Sequence, residues 1–286
     1  MGAAMHGRIP FAGALLLASA AALLAMPYPN GPAAAKPRRI VSLNLCADQL
    51  LLRLADREQI AGLTLNAADP AMSGEAALAV GLPILRDSAE QILAIDPDLV
   101  IGMPASRTPA MMALKGQQVR TLDLLWVDSF EGIVAALRQT ATAVGHPERG
   151  EMLIAQMEKD LAAIPRTGRG KVAAYYQRRG YMTGTGTLVD DLMGRVGLVN
   201  LAAKLGKPPL AQVSLEEIVA AQPDYLIVES ATDRVVDQGT EMLHHPALRD
   251  IPRISIPEAW TVCGGPAYVI AARSIAAQVS SHQRAP

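Results

Sequence analysis

Two cysteines, Cys46 and Cys263, are the only thiols in the 286-residue chain, and both stand in loops expected beside a cleft. Three outcomes are open to such a pair. In an oxidising compartment the default is a disulfide, which over so long a loop stabilises by up to roughly 5 kcal/mol in the chain-entropy model. The alternatives are two unlinked thiols, or two thiolates on a soft metal, for which Asp48 and Met103 are the candidate further ligands. Arg107, Arg178 and Arg179 form a second group, in loops on the expected cleft side. Their guanidinium groups suit carboxylate, hydroxamate or catecholate oxygens, although each alone also suits a solvated surface. Tyr176, Tyr181 and Trp260 bring flat apolar faces to the same region. Aromatic residues make up only 3% of the chain, so three beside one cleft point to a large ligand. Core packing is the competing role for Trp260.

Other chemistry is excluded by its own patterns. Gly184-Thr185-Gly186 follows a strand, but Val189 stands where a third dinucleotide-fingerprint glycine belongs. There is no Gly-x-Ser-x-Gly, Walker or His-Glu-x-x-His sequence. The neighbouring pair His244-His245 has poor geometry for one metal and suits a solvated loop before Pro246.

The elements that must hold these residues are announced by a repeat. Ser88–Ile101 (SAEQILAIDPDLVI) and Ser214–Ile227 (SLEEIVAAQPDYLI) are identical at Ser88/Ser214, Glu90/Glu216, Ile92/Ile218, Ala94/Ala220, Pro97/Pro223, Asp98/Asp224 and Ile101/Ile227. Each copy begins with a capping-box pattern, halts its helix before a proline and enters an apolar run that reads as a buried parallel strand. Two similar lobes follow from this. Glu90 and Glu216 fall in the first helical turn, where the helix dipole favours an acid by about 0.3–1 kcal/mol. A pair of exposed carboxylates, one per lobe and facing a basic partner, is the functional alternative.

In chain order, Arg39–Leu45 is a strand, turned by Cys46–Gln49 into a helix over Gln49–Leu54. A strand Ile60–Leu65 leads to a loop over Asn66–Glu75. The first repeat delivers Leu99–Gly102 to the loop Met103–Pro109, then a helix and a strand Val119–Val127. Helices are expected over Ser129–Val144 and Pro147–Ile164. In the latter, Leu153, Met157, Leu161 and Ile164 make one apolar stripe. The strand Lys171–Tyr176, a polar loop Gln177–Thr187 and a helix Leu188–Val196 precede the second repeat. A strand Ile254–Ile256, the loop Pro257–Pro266 and a final helix close the chain. Such alternation predicts parallel α/β layers, with ligands at the carboxyl ends of the strands.

Before all this, His6 and Arg8 precede the apolar run Phe11–Ala25, and Ala33-Ala34-Ala35 offers a cleavage site, which together read as an export signal. The run is short for a membrane span of roughly 20 residues. The expected organisation is a signal peptide over 1–35, an N-terminal lobe over 36–145, a connecting helix over 146–166 and a C-terminal lobe over 167–286. With a net charge of −1, no basic field invites nucleic acid.

The opening Ile40–Leu54, both xxExIxxxxPDxxI units, TLDLLWVDSFEGIVAAL, GTLVDDLMGRVGLVNLA, HPALRDIP and the tryptophan-containing terminal loop resemble the class III substrate-binding proteins of ABC importers. The likeness covers nearly all of Arg38–Val279. It implies two Rossmann-like lobes with parallel sheets joined by a single long helix, and a ligand cleft between them. It also implies a periplasmic monomer that is not an enzyme and has no intrinsic cofactor. Its cargo would be a small-molecule metal chelate carrying iron or cobalt: a ferric siderophore, a corrinoid or haem. Glu90 and Glu216 match the docking glutamates that engage the transmembrane permease dimer. Ferric-siderophore binders use arginines and tyrosines where Arg107, Arg178, Arg179 and Tyr181 fall. Cobalamin binders carry a tryptophan before the first repeat, where this chain has GLPILRDS. The rival class is a thiol-dependent exported enzyme using Cys46 or Cys263, although Cys-x-x-Cys is absent.

Overall fold

Ser88 and Ser214 each accept a hydrogen bond from the amide three residues on, that of Gln91 and that of Glu217, both at 3.2 Å. They cap two matching helices in a computed structural model that describes residues 36–86, 88–113 and 119–284. The expected export signal over 1–35 lies outside the described residues.

The first lobe contains β1 (Ile40–Ser42), α1 (Leu45–Leu54), β2 (Ile60–Gly62), α2 (Ala76–Ala79), α3 (Ala89–Ile95), β3 (Leu99–Gly102), α4 (Pro109–Ala113), β4 (Thr121–Asp123) and α5 (Phe130–Val144). After α6 (Pro147–Ala162), the second lobe contains β5 (Val172–Tyr175), β6 (Tyr181–Thr183), α7 (Leu188–Arg195), β7 (Val199–Asn200) and α8 (Leu201–Lys204). It continues with β8 (Leu210–Gln212), α9 (Leu215–Ala221), β9 (Tyr225–Glu229), α10 (Gln238–Glu241), β10 (Arg253–Ile256) and α11 (Ala267–Arg284). The sheets run β2-β1-β3-β4 and β10-β9-β5-β7, and every pairing within them is parallel.

The repeat has a structural reason at each end. Both helices stop at a residue in left-handed conformation, Asp96 (φ 49°) and Gln222 (φ 46°), because the following proline disfavours another α-helical residue. The aspartate after each proline then braces a neighbouring strand. Asp98 accepts from the Arg38 and Arg39 amides ahead of β1, at 2.9 and 2.7 Å. Asp224 accepts from the Val172 amide at the start of β5, at 2.7 Å. The capping boxes are half made, since Gln91 accepts from the Arg86 amide and Glu217 pairs with Lys207.

Alternation along the strands sorts the core. Ile40, Leu99 and Ile101 join Tyr175, Tyr225 and Ile227 in one cluster that runs through both lobes. Their neighbours Val41 and Val100 face an outer layer of the first lobe, and Ala174, Tyr176, Leu226 and Val228 an outer layer of the second. Helix α6 buries Ile154, Met157 and Leu161, with Leu153 partly buried, and packs against α5 and α11. Gly145, at φ +83°, ends α5 in the left-handed region that glycine enters without strain. Asp191 on α7 accepts from the Phe130 amide at 3.2 Å and from the Tyr268 hydroxyl, tying the lobes where α7 meets the starts of α5 and α11.

Several expected boundaries move. Helix α1 begins at Leu45, not Gln49, because Asn44 caps it by accepting from the Ala47 amide at 2.9 Å. Cys46 therefore sits in a first helical turn and not in a loop. The strand expected over Val119–Val127 is only Thr121–Asp123, and Leu124–Val127 leaves the sheet. The loop expected over Gln177–Thr187 contains β6, which pairs antiparallel with β8. Gly184 belongs to that pairing: a Cβ there would collide with the Pro208 carbonyl. This packing accounts for its glycine without a nucleotide.

Candidate functional site

A cleft of about 610 Å³ opens at the carboxyl ends of the strands and is lined from both lobes. The first lobe gives it an apolar wall: Leu50 from α1, Met103 after β3, and Leu124, Leu125, Trp126 and Val127 after β4. The early end of β4 produces the lip: Leu124 stays buried and Val127 packs against the core, while Leu125 and Trp126 between them turn outward. Trp126 is 79% exposed and Leu125 71%, and Leu210 stands 59% exposed on the opposite side. Exposed apolar side chains this large, gathered at one opening, mark a surface made to be covered.

The second lobe supplies the polar groups, set among Leu188, Val189, Pro209, Leu210 and Val262. Tyr175 ends β5 with its ring buried and its hydroxyl 3.2 Å from Thr261 Oγ1. Burial, with Glu229 and Glu258 close by, holds its phenol far above the ordinary tyrosine pKa. Gln177 Nε2 donates to Glu229 Oε1 at 2.9 Å, and Gln177 Oε1 lies 3.3 Å from the Thr183 hydroxyl. Glu229 is the last residue of β9 and only 9% exposed. Glu258, in the turn after β10, has its pKa raised by burial and by Glu229, against the pull of Arg178.

The floor is covalent. Cys46 and Cys263 form a disulfide with their Cα atoms 5.3 Å apart, joining α1 to the loop ahead of α11. That resolves the three-way choice left by the sequence, and leaves the pair no thiolate for a metal. Among the described residues, no group of three or more His, Cys, Asp and Glu side chains is arranged to hold a metal ion.

Of the residues singled out in the sequence, Cys46, Cys263 and Met103 line the cleft. The others stand elsewhere. Asp48 is fully buried and accepts from the Thr64 amide at 3.1 Å and from its hydroxyl, fastening α1 to the segment after β2. Its pKa is raised by burial, against those hydrogen bonds. Tyr176 is fully buried in the outer layer and donates to the Val213 carbonyl at 3.0 Å, with its phenol pushed up to about 12 by burial and the Glu216 charge. Period-two alternation turns Tyr175 to the cleft and Tyr176 away. Trp260 is half-buried and packs on the core. Arg107 and Tyr181 are exposed and off the cleft wall. Arg178 is paired with Asp237, and Arg179 lies exposed at φ 57°. Glu90 and Glu216 are exposed in the first turns of α3 and α9. His244 contacts the Thr232 carbonyl at 2.8 Å, while His245 accepts from the Ala247 amide at 3.2 Å.

The lining residues missed from the sequence had signals of two kinds. Glu229 and Trp126 follow from the rule that ligand loops leave the carboxyl ends of strands, once the strand ends are known. Tyr175 follows from strand parity.

Comparison with known proteins agrees with this architecture. A family model described as periplasmic binding protein matches residues 40–253. The Vitamin B12-binding protein of Pectobacterium carotovorum is 25% identical over 199 residues, covering 67% of this chain and 71% of that protein. The Cobalamin-binding protein of Halobacterium salinarum is 26% identical over 207 residues, covering 70% of this chain but 56% of its own length. Among solved structures, the apo periplasmic haem-binding protein RhuT from Roseiflexus sp. RS-1 superposes with a TM-score of 0.68 at 28% identity, over 85% of this chain and 98% of that one. The periplasmic Vitamin B12 binding protein BtuF of Vibrio cholerae shares the fold, with a TM-score of 0.67 at 18% identity over 87% and 99%. Among the described residues no helix is long and apolar enough to cross a membrane. With two parallel-sheet lobes, an interlobe cleft and a family match over three quarters of its length, the chain belongs to the periplasmic binding proteins, which bind ligands and are not enzymes.

Proposed function

We propose that the protein is exported through a cleaved N-terminal segment and captures an iron or cobalt chelate in the periplasm. It then passes that chelate, a corrinoid or a ferric siderophore, to the transmembrane permease dimer of an ABC importer. The observation that carries this reading is the cleft itself: about 610 Å³, within the range of small-molecule sites, with Trp126 exposed at its lip. The proposed binding set is Met103, Trp126, Tyr175, Gln177, Glu229 and Glu258. The relatives named as B12- and cobalamin-binding support a corrinoid. Haem is the second reading, favoured by the 28% identity to the haem-binding Roseiflexus protein.

Glu90 and Glu216 are the proposed docking handles, one on each lobe in equivalent first turns. Titration of the exported protein with cyanocobalamin, haem and a ferric trihydroxamate tests the capture step, and binding of none of them would refute it. Replacing both glutamates by arginine tests docking. Uptake is lost while ligand affinity stays unchanged, and altered affinity would contradict the role.

A further inference from the structure

The charge of the cleft is one-sided. Among the described residues no lysine, arginine or histidine lines it, and its two charged side chains are Glu229 and Glu258. They come from adjacent strands, since Ile256 of β10 pairs with Glu229 of β9 and Glu258 follows two residues later. Glu229 spends one oxygen on Gln177. Among the described residues the Glu258 side chain has neither a hydrogen-bond partner nor a salt bridge, although its carboxyl is partly withdrawn from water. The guanidinium that could neutralise the pair, Arg178, is held by Asp237. Across from these acids stands the apolar lip with Trp126. One wall therefore takes a flat apolar face, and the other presents acceptors balanced only in part by Arg178, which lies off the cleft wall and is itself paired with Asp237.

Resting on the reading of the cleft as a chelate site, we infer that Glu229 and Glu258 are specificity-determining residues: they select chelates whose rim carries neutral amide or ammonium donors, and reject those of similar size whose rim carries carboxylates. A rim N–H satisfies the Glu258 oxygens by a charge-assisted hydrogen bond. A rim carboxylate meets like charge in a partly desolvated cleft, and specificity of this kind is built from repulsion as much as attraction. The guanidinium-lined site expected from Arg107, Arg178 and Arg179 would have had the opposite preference.

A matched pair of probes isolates the effect: cyanocobalamin, whose rim carries amides, and its monocarboxylic acid, with one rim amide hydrolysed. Haem, which carries two propionates, is the third. Dissociation constants at neutral pH are measured calorimetrically for the wild type, Glu229→Gln, Glu258→Gln and the double variant. The wild type binds the amide form at least about tenfold more tightly than the acid and than haem. In the double variant the gap between amide and acid closes to within about threefold. The isosteric change at half-buried Glu258 preserves the fold, and the melting temperature checks this. If the single change at Glu229 unfolds the protein, Glu258→Gln alone decides, with at least a threefold narrowing required. Equal or tighter binding of the acid or of haem by the wild type overturns the inference, as does an amide-to-acid ratio that the variants leave unmoved. Silence towards all three probes and towards a ferric trihydroxamate instead removes the proposed function on which it rests.

Discussion

Replacing Trp126 by alanine separates ligand capture from folding. The indole is 79% exposed, so its removal leaves no cavity and strands no polar partner. Stability should hold within about 0.5 kcal/mol, as for surface substitutions generally. The binding cost is set by the area a ligand would cover. An aromatic side chain of this size offers on the order of 200 Å², of which roughly 160 Å² is uncovered here. A ligand resting on one face removes about half of that from water. At about 25 cal/mol per Å² this is roughly 2 kcal/mol, or about a 30-fold rise in Kd. Isothermal titration with whichever chelate the wild type binds reads this directly, without depending on the fluorophore removed. Trp260→Phe is the control, because Trp260 packs on the core and is absent from the cleft wall. It should cost stability but leave Kd within threefold. A Trp126→Ala protein whose affinity stays within threefold of wild type, with its melting temperature unchanged, would refute the assignment of the lip.

The tyrosine pair offers a test of strand parity. Tyr175→Phe is expected to weaken ligand binding with little loss of stability. Tyr176→Phe leaves the Val213 carbonyl without its buried partner, costing about 1–3 kcal/mol in urea unfolding while Kd holds. The bracing aspartates give a pH signature. Burial opposes the charge on Asp98 and Asp224, but the Arg38, Arg39 and Val172 amides and the Lys171 side chain outweigh it, so both pKa values are lowered. Their contribution is therefore complete above the ordinary aspartate pKa of about 4, and is lost as pH falls from there through the folded values. Asp98→Asn and Asp224→Asn should each destabilise by about 1.5–3 kcal/mol at pH 7, with the deficit against wild type shrinking by pH 3; a constant deficit would contradict the linkage. Changing both Cys46 and Cys263 to serine should cost about 2–4 kcal/mol, seen as a lower melting temperature that reductant no longer shifts.

The sequence spoke most clearly where one local rule decides the outcome. Serine caps, proline stops and apolar runs located both copies of the repeat, and the stripe of Leu153, Met157 and Leu161 located α6. It spoke less clearly where the outcome depended on which face of a strand pointed where. A run such as VAAYY is apolar on both sides, so composition cannot tell Tyr175 from Tyr176; the sheet's neighbours on each face decide. The arginines misled for a different reason. Their loops do leave the expected ends of the strands, but Asp237 takes the charge of Arg178 and the Arg107 side chain remains on the surface. Nothing in the sequence pattern predicts a pairing across 59 residues. Trp126 was hidden by an overlong strand, since LDLLWV continues the β pattern well past the point where the pairing stops at Asp123.

The disulfide has a mechanical consequence. The polypeptide passes between the lobes at the end of α6, and the Cys46–Cys263 bond joins them a second time at the cleft floor. These are not the lobes' only ties, since Asp191 accepts from the Phe130 amide and one buried cluster runs through both. A covalent bond, however, holds its two ends at a fixed separation whatever else shifts, so the spacing of the lobes is fixed most firmly beside Cys46 and Cys263. The lip with Trp126 and Leu210 is the part whose separation sets the width of the entrance.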